Sequence, residues 1–219
     1  MDSLFIIILF SSVSAIAAFV WFRLARYPFS MPWFSTALLA GATSIFPALF
    51  LQYILRTAGG ILQPSGKWSF FAEIFIRIAL TEELSRFLIL LILFAVVRRV
   101  SGDPVRMPNA TGLVAGLGFA ILESSVYGAS NPVNPLLRAF TSAPLHGACG
   151  SRVGSSVVLL PERPVQGILR FLSAVAIHGA YNFMLNIPGR FPTIAAVLIV
   201  ISALVSAIQV IRSEMKAQE

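Results

Sequence analysis

Residues 68–97 read WSFFAEIFIRIALTEELSRFLILLILFAVV, a run of thirty mostly apolar residues that nevertheless carries Glu73, Arg77, Glu82, Glu83 and Arg86. A bilayer core ~30 Å thick needs about 20 apolar residues per helix, so the run reads as a membrane helix. Its acids and bases then sit where water is scarce. A charge at the bilayer centre costs ~2.5 to 3.5 kcal/mol on insertion scales, and each such residue needs a partner or a purpose.

Working outward, six further stretches approach the same length, and the seven run roughly over 3–22, 32–55, 68–97, 107–129, 136–160, 165–185 and 191–211. The gaps carry helix-ending chemistry: Tyr27-Pro28, Gly59-Gly60 with Pro64, Gly102-Asp103-Pro104, Asn131-Pro132 with Asn134-Pro135, Pro161 with Pro164, and Pro188-Gly189. The first stretch imitates a secretory signal, with Ala15-Ile16-Ala17 resembling a cleavage site, but Asp2 stands where a basic segment belongs. It is read as a transmembrane helix.

Composition agrees. The chain of 219 residues is 57% hydrophobic and 11% charged, with a mean hydropathy of +0.85, whereas a soluble domain is about 25% charged. The expectation is an all-α, polytopic transmembrane bundle of about seven helices in one domain. Residues 1–66 would form N-terminal scaffold helices, 67–187 the catalytic helices and 188–219 a C-terminal helix. The net charge of +7 lies at the ends of apolar segments, which marks topology rather than nucleic-acid binding. With the first helix entering from outside, the inner side collects eight cations, Arg23, Arg26, Arg98, Arg99, Arg106, Arg163, Arg212 and Lys216, against three outside, Arg56, Lys67 and Arg190. This places the N-terminus outside and the C-terminus in the cytoplasm. Cys149 is the single cysteine, so an intrachain disulfide and a cysteine metal cluster are excluded.

The fourth and fifth stretches are rich in small residues, Gly112, Ala115, Gly116 and Gly118 on one and Gly147, Gly150 and Gly154 on the other. Such residues let helix backbones approach closely in lipid. Polar side chains beside them are thereby held close together.

The other informative polar residues are Glu123 on the fourth stretch, His146 on the fifth, and His178 with Asn182 on the sixth. Arg86 is three residues from Glu83 and four from Glu82, so it can reach either, while the two acids diverge by about 100° around the helix. Glu73 and Arg77 form a separate i, i+4 pair read as structural. His178 and Asn182 are four apart and aim at one space. In the topology above, Glu123, His146 and His178 lie ~9 to 15 Å below the outer end of their helices, and Glu82 and Glu83 slightly deeper. Four helices thus present acid or imidazole groups at a similar depth.

Peptide hydrolysis needs a base for water, donors for the oxyanion and an acid for the leaving amine. A buried glutamate can be the base, with His and Asn as donors. Alternatively, Glu123, His146 and His178 form the ligand set of a zinc site, with Glu82 or Glu83 activating water. Proton transport and a non-catalytic membrane scaffold are competing uses of the same groups. No H-E-x-x-H motif, no Asp within an apolar helix and no G-x-S-x-G elbow is present.

Thr81-Glu82-Glu83-Leu84-Ser85-Arg86 resembles the EExxK/R motif of PrsW-type intramembrane proteases, relatives of type II CAAX prenyl endopeptidases and of the gamma-secretase subunit APH. The likeness continues through Gly116-Leu117-Gly118-Phe119-Ala120-Ile121-Leu122-Glu123 with Tyr127, then Arg138 and Pro144-Leu145-His146, and finally His178-Gly179-Ala180-Tyr181-Asn182. Arg86 stands where the PrsW branch more usually has Lys, and Glu123 where CAAX peptidases usually have His. The resemblance implies a bacterial cytoplasmic-membrane protease that makes the site-1 cut in a single-pass anti-sigma factor on the outer face. It assigns water activation to Glu82 or Glu83, completes the site with Glu123, His146 and His178, and gives Asn182, Arg86 and Arg138 assisting places. It leaves both a Zn2+ mechanism and a metal-free one open, and a CAAX-type prenyl-protein endopeptidase is the alternative activity.

Overall fold

A computed structural model describes residues 3–57, 67–103, 105–128 and 134–217. The turn signals at Gly59, Gly60, Pro64, Pro104, Asn131 and Pro132 lie outside the described residues, as does the Tyr127 side chain. Ten α-helices and one π-helical segment follow in order: α1 (Ser3–Leu24), α2 (Met31–Thr43), α3 (Ile45–Thr57), α4 (Lys67–Ala72), the π segment (Glu73–Leu80), α5 (Thr81–Ser101), α6 (Pro108–Gly128), α7 (Asn134–Phe140), α8 (Ser142–Leu159), α9 (Pro164–Leu185) and α10 (Arg190–Lys216). Among the described residues there is no strand.

These elements occupy the seven expected stretches, but three of the stretches are interrupted. The second breaks at Ser44, between α2 and α3. Pro47 supplies the cause: it has no N–H for the Thr43 carbonyl, and its ring crowds that same carbonyl. Ser44 closes α2 instead, its N–H shared between Ala40 and Gly41 and its hydroxyl donating to the Gly41 carbonyl at 2.6 Å. The third passes from α4 through the π segment, with its wider hydrogen-bond ladder, into α5 just before Glu82; Thr81 Oγ1 satisfies the Arg77 and Ile78 carbonyls at 2.6 and 3.0 Å. The fifth is divided at Thr141, which leaves helical geometry (φ −124°, ψ −73°).

Among the described residues five spans, Phe5–Leu24, Met31–Thr57, Pro108–Val126, Pro164–Leu185 and Arg190–Lys216, are long and apolar enough to cross a membrane. The chain is a polytopic helical bundle, and its outer residues are apolar, among them Ile8, Val20, Phe46, Phe50, Leu91, Leu169, Leu198 and Ile201. In water so much apolar surface would drive aggregation; in a bilayer it faces acyl chains.

The centre is the α6–α8 pair. Every residue from Ser142 to Val157, Pro144 apart, is buried. A Cβ at Gly112 would run into the Gly150 carbonyl oxygen, one at Gly116 into that of His146, and one at Gly154 into that of Pro108. The small residues thus bring the two backbones into contact, as their spacing predicts. α2 packs on α6 in the same way, through Gly41 against the Ala115 carbonyl and Gly118 against that of Leu38. α9 covers the other face of α8, and α10 closes against α8 and α9. Near the C-terminus Glu214 caps the start of α6, accepting from the Asn109 N–H at 3.1 Å and the Ala110 N–H at 3.3 Å. Cys149 is buried against α9, its Sγ 3.5 Å from the Ala174 carbonyl.

Candidate active site

Glu82 and Glu83 begin α5, and the ~100° turn between consecutive residues sends them different ways. Glu83 is fully buried and forms an ion pair with Arg86 one turn on, Nη1 to Oε2. Its other oxygen, Oε1, lies 2.8 Å from His178 Nδ1 on α9. Arg86 is also fully buried: its Nη2 is 3.3 Å from His146 Nδ1 on α8, and its guanidinium sits over the Phe119 ring of α6 at 4.7 Å. The far nitrogen of His146, Nε2, is 2.9 Å from Glu123 Oε2. Arg138 of α7 pairs with that same oxygen and also donates to Ser124 Oγ at 3.1 Å and Ser142 Oγ at 3.0 Å. An unbroken chain of contacts therefore runs from His178 through Glu83, Arg86, His146 and Glu123 to Arg138.

The bond pattern assigns the ring protons. An arginine can only donate, so His146 Nδ1 accepts and Nε2 carries the hydrogen donated to Glu123. His178 donates from Nδ1 to Glu83, which leaves a lone pair on Nε2. Facing it at 3.7 Å is Glu82 Oε2, a buried carboxylate oxygen with no hydrogen-bond partner among the described residues. Two acceptors confronted in a buried place call for a cation between them, a proton or a metal ion.

Donor atoms of Glu82, His146 and His178 all lie within 4.8 Å of one another. Two imidazoles and a carboxylate are a recognised zinc ligand set. Each of the three is held from behind: His146 by Glu123, His178 by Glu83, and Glu82 by Gln52 of α3, whose Nε2 donates to Oε1 at 3.1 Å. Outer partners of this kind orient ligands in metal sites. The residues present fit a metal once Arg86 Nη2 gives up His146 Nδ1, the ring nitrogen left to bind while Nε2–H stays on Glu123. Glu123, expected as a ligand beside the two histidines, is placed differently: its Oε2 is taken by Arg138 and His146.

Glu82, Glu83, Arg86, Glu123, Arg138, His146 and His178 are thus gathered in one place from α5, α6, α7, α8 and α9. Asn182, expected to share the space of His178, is half-buried one turn further along α9; its carbonyl accepts from Asn186 Nδ2 at 2.8 Å, and its side-chain amide has no hydrogen bond among the described residues. Glu73 and Arg77 pair with each other away from the site and are partly exposed. Sequence reasoning missed Gln52, Ser124 and Ser142, none of which carries a charge to mark it. Between α3 and α6 a cavity of about 140 Å³ opens beside the cluster, lined by Gln52, Glu82, Phe119, Glu123, Leu49 and Val126 among others.

The chain is similar to a protein named Protease PrsW from Geobacillus kaustophilus (strain HTA426), 27% identical over 152 residues. That alignment takes in 67% of this chain and 64% of the relative, so the chain spans less than two thirds of that protein's length. No solved structure matches. Residues 30–208, which hold every residue of the cluster, match the family described as PrsW family intramembrane metalloprotease, and the chain belongs to that family.

Proposed function

We propose that this chain is an intramembrane endopeptidase that hydrolyses a peptide bond in a single-pass membrane protein, close to the outer face of the membrane. The observation that carries this reading is Glu82 Oε2: buried, without a hydrogen-bond partner among the described residues, 3.7 Å from His178 Nε2, and on a carboxylate that lines the cavity between α3 and α6. A cavity of about 140 Å³ admits a few waters at ~30 Å³ each, and its mouth lies among lipid-facing residues, where an unwound membrane segment would arrive.

Glu82 takes a proton from a water held in that cavity as the water oxygen attacks the scissile carbonyl. The same carboxyl then gives the proton to the departing amine, which leaves a new carboxylate and a new amine. Glu83 and Arg86 fix His178 and His146 in their tautomers, and the Glu123–Arg138 pair anchors His146 from the far side. Asn182, with its amide uncommitted, is the donor available to a substrate oxygen. Were a metal held by Glu82, His146 and His178, Glu82 would serve as its ligand rather than as the base, and the metal would lower the pKa of bound water and polarise the carbonyl.

The substrate is read as an anti-sigma factor cut at its first site. This follows the motif resemblance and the depth of the acid and imidazole groups in the outer half under the proposed N-out topology. Co-expression with a tagged single-pass reporter tests the reading: the wild type should release a fragment, and the Glu82→Gln and His178→Ala strains should accumulate intact reporter. Equal cleavage in all three would dismiss the proposal.

A further inference from the structure

The polar side chain of α3 that reaches the cluster is Gln52. Its Nε2 donates to Glu82 Oε1 at 3.1 Å, while Oε2 of the same carboxylate is the unpartnered atom aimed toward His178. A carboxylate on a flexible side chain can rotate about its last torsion. Pinning one oxygen fixes the direction of the other. We infer that Gln52 is a positioning residue for Glu82, holding Oε1 so that Oε2 faces the reacting water; the inference rests on the proposed protease activity.

Two further features give the contact a consequence. α3 is separated from α2 by the break at Ser44 that Pro47 imposes, and Phe46, Phe50 and Tyr53 on it are exposed on the outside of the bundle. Whereas α2 is clamped to α6 by glycines, α3 meets the bundle mainly along α5 and the π segment. Glu82 is therefore aligned only while α3 lies against α5, and the cavity beside Gln52 is walled by the same helix. Positioning of the base is tied to the position of the wall.

Shape and hydrogen bonding separate when Gln52 is replaced by Met, which keeps length and volume but removes the donor. A residue that only filled space would tolerate the change. A positioning residue would not: Gln52→Met should lower kcat about ten- to hundredfold, the worth of one hydrogen bond to a charged group, and leave KM unchanged. Gln52→Glu, which sets an acceptor against the carboxylate, should fall lower still. The probe is the tagged single-pass reporter, assayed with the full-length protein in liposomes. Thermal unfolding in detergent of Gln52→Met, Glu82→Met and the double variant gives a readout independent of cleavage. The double variant should melt no lower than Glu82→Met alone, since the contact is already lost. Additive melting shifts, or a Gln52→Met enzyme with wild-type kcat, would overturn the inference while leaving the protease reading intact. A wild type that cleaves no reporter would remove the protease reading and this inference with it.

Discussion

His178 Nδ1 and Glu83 Oε1 meet at 2.8 Å across the α9–α5 interface, and both side chains are buried. The bond joins the helix that bears Glu82 and Glu83 to the one that bears the second imidazole. Because Glu83 also neutralises the buried Arg86, it has a structural burden that Glu82 lacks. Removing one member of a buried pair leaves the other uncompensated and costs ~3–5 kcal/mol. Glu83→Gln is therefore expected to lose activity and to melt well below the wild type. Glu82→Gln, which touches a single hydrogen bond from Gln52, is expected to lose activity with little change in melting. Detergent-solubilised thermal unfolding of the two variants side by side decides it; equal melting losses would contradict the division of roles.

The α6–α8 contact makes a second, steric prediction. A Cβ at Gly116 would collide with the His146 carbonyl oxygen, so even Gly116→Ala must push α8 outward. Overpacking of this kind costs ~1–3 kcal/mol. It also shifts His146 relative to Glu123, now 2.9 Å apart, and a displacement of about 1 Å can cost ~100-fold in rate. Reporter cleavage should drop by that order although no polar atom has been touched. Wild-type turnover in Gly116→Ala would mean the helices have slack that the packing does not show.

Much of this arrangement was legible in the sequence, for physical reasons that can be traced. Glu82 and Glu83 had to diverge because they are consecutive on a helix, and Arg86 could reach only those two along its own helix. Its choice of Glu83 was not legible, because it depends on His178 arriving from α9 and on the Phe119 ring beneath the guanidinium. Pro47 inside the second stretch was a visible break signal; an unbroken 32–55 helix did not heed it. Thr141 offered no such signal. Arg152 lies in the middle of α8, satisfied by the Ala148 carbonyl at 2.9 Å and Ser206 Oγ at 3.1 Å. Those partners are a backbone group and a hydroxyl, and neither has a spacing rule that would expose it. Gln52 was hidden in the same way: one amide in an apolar run gains meaning only when Glu82 is seen opposite.

Metal binding separates the set assembled in the structure from the one the sequence favoured. If Glu82, His146 and His178 are the ligands, purified protein should retain about one zinc per chain. Glu82→Gln, His146→Ala and His178→Ala should each lose it. Glu123→Gln should retain zinc with affinity reduced ~10–100-fold, the usual effect of disturbing an outer partner. Elemental analysis after dialysis, with a Zn2+ competition titration, reads the difference. Zinc held by Glu82→Gln but absent from Glu123→Gln would restore Glu123 to the ligand set.

Arg138 makes a graded prediction. Its guanidinium pairs with Glu123 and donates to Ser124 and Ser142, tying α7 to α6 and α8. Lysine keeps the charge but is a single point donor without the planar fork. Arg138→Lys should keep the bundle folded yet cut kcat/KM about tenfold, and Arg138→Met should cut it further because Glu123 loses its counter-charge. Identical kinetics for Lys and Met would mean that the counter-charge carries nothing, and wild-type kinetics for Arg138→Lys that the forked geometry carries nothing.

The break in the second stretch can be tested by repairing it. Pro47→Ala restores the N–H that the Thr43 carbonyl lacks and removes the ring that crowds it, so α2 and α3 gain the means to run on as one helix. α2 cannot follow, since Gly41 and Gly118 lock it to α6; the adjustment falls on α3, whose far end carries Gln52. Straightening swings Gln52 away from Glu82 Oε1 and lengthens the 3.1 Å contact. Helix content and melting should rise slightly, because the Thr43 carbonyl regains an intrahelical partner, while turnover falls toward that of Gln52→Met. Stability and activity moving in opposite directions is the signature sought. If both rise together, the kink at Ser44 is dispensable and α3 does not set the orientation of the base.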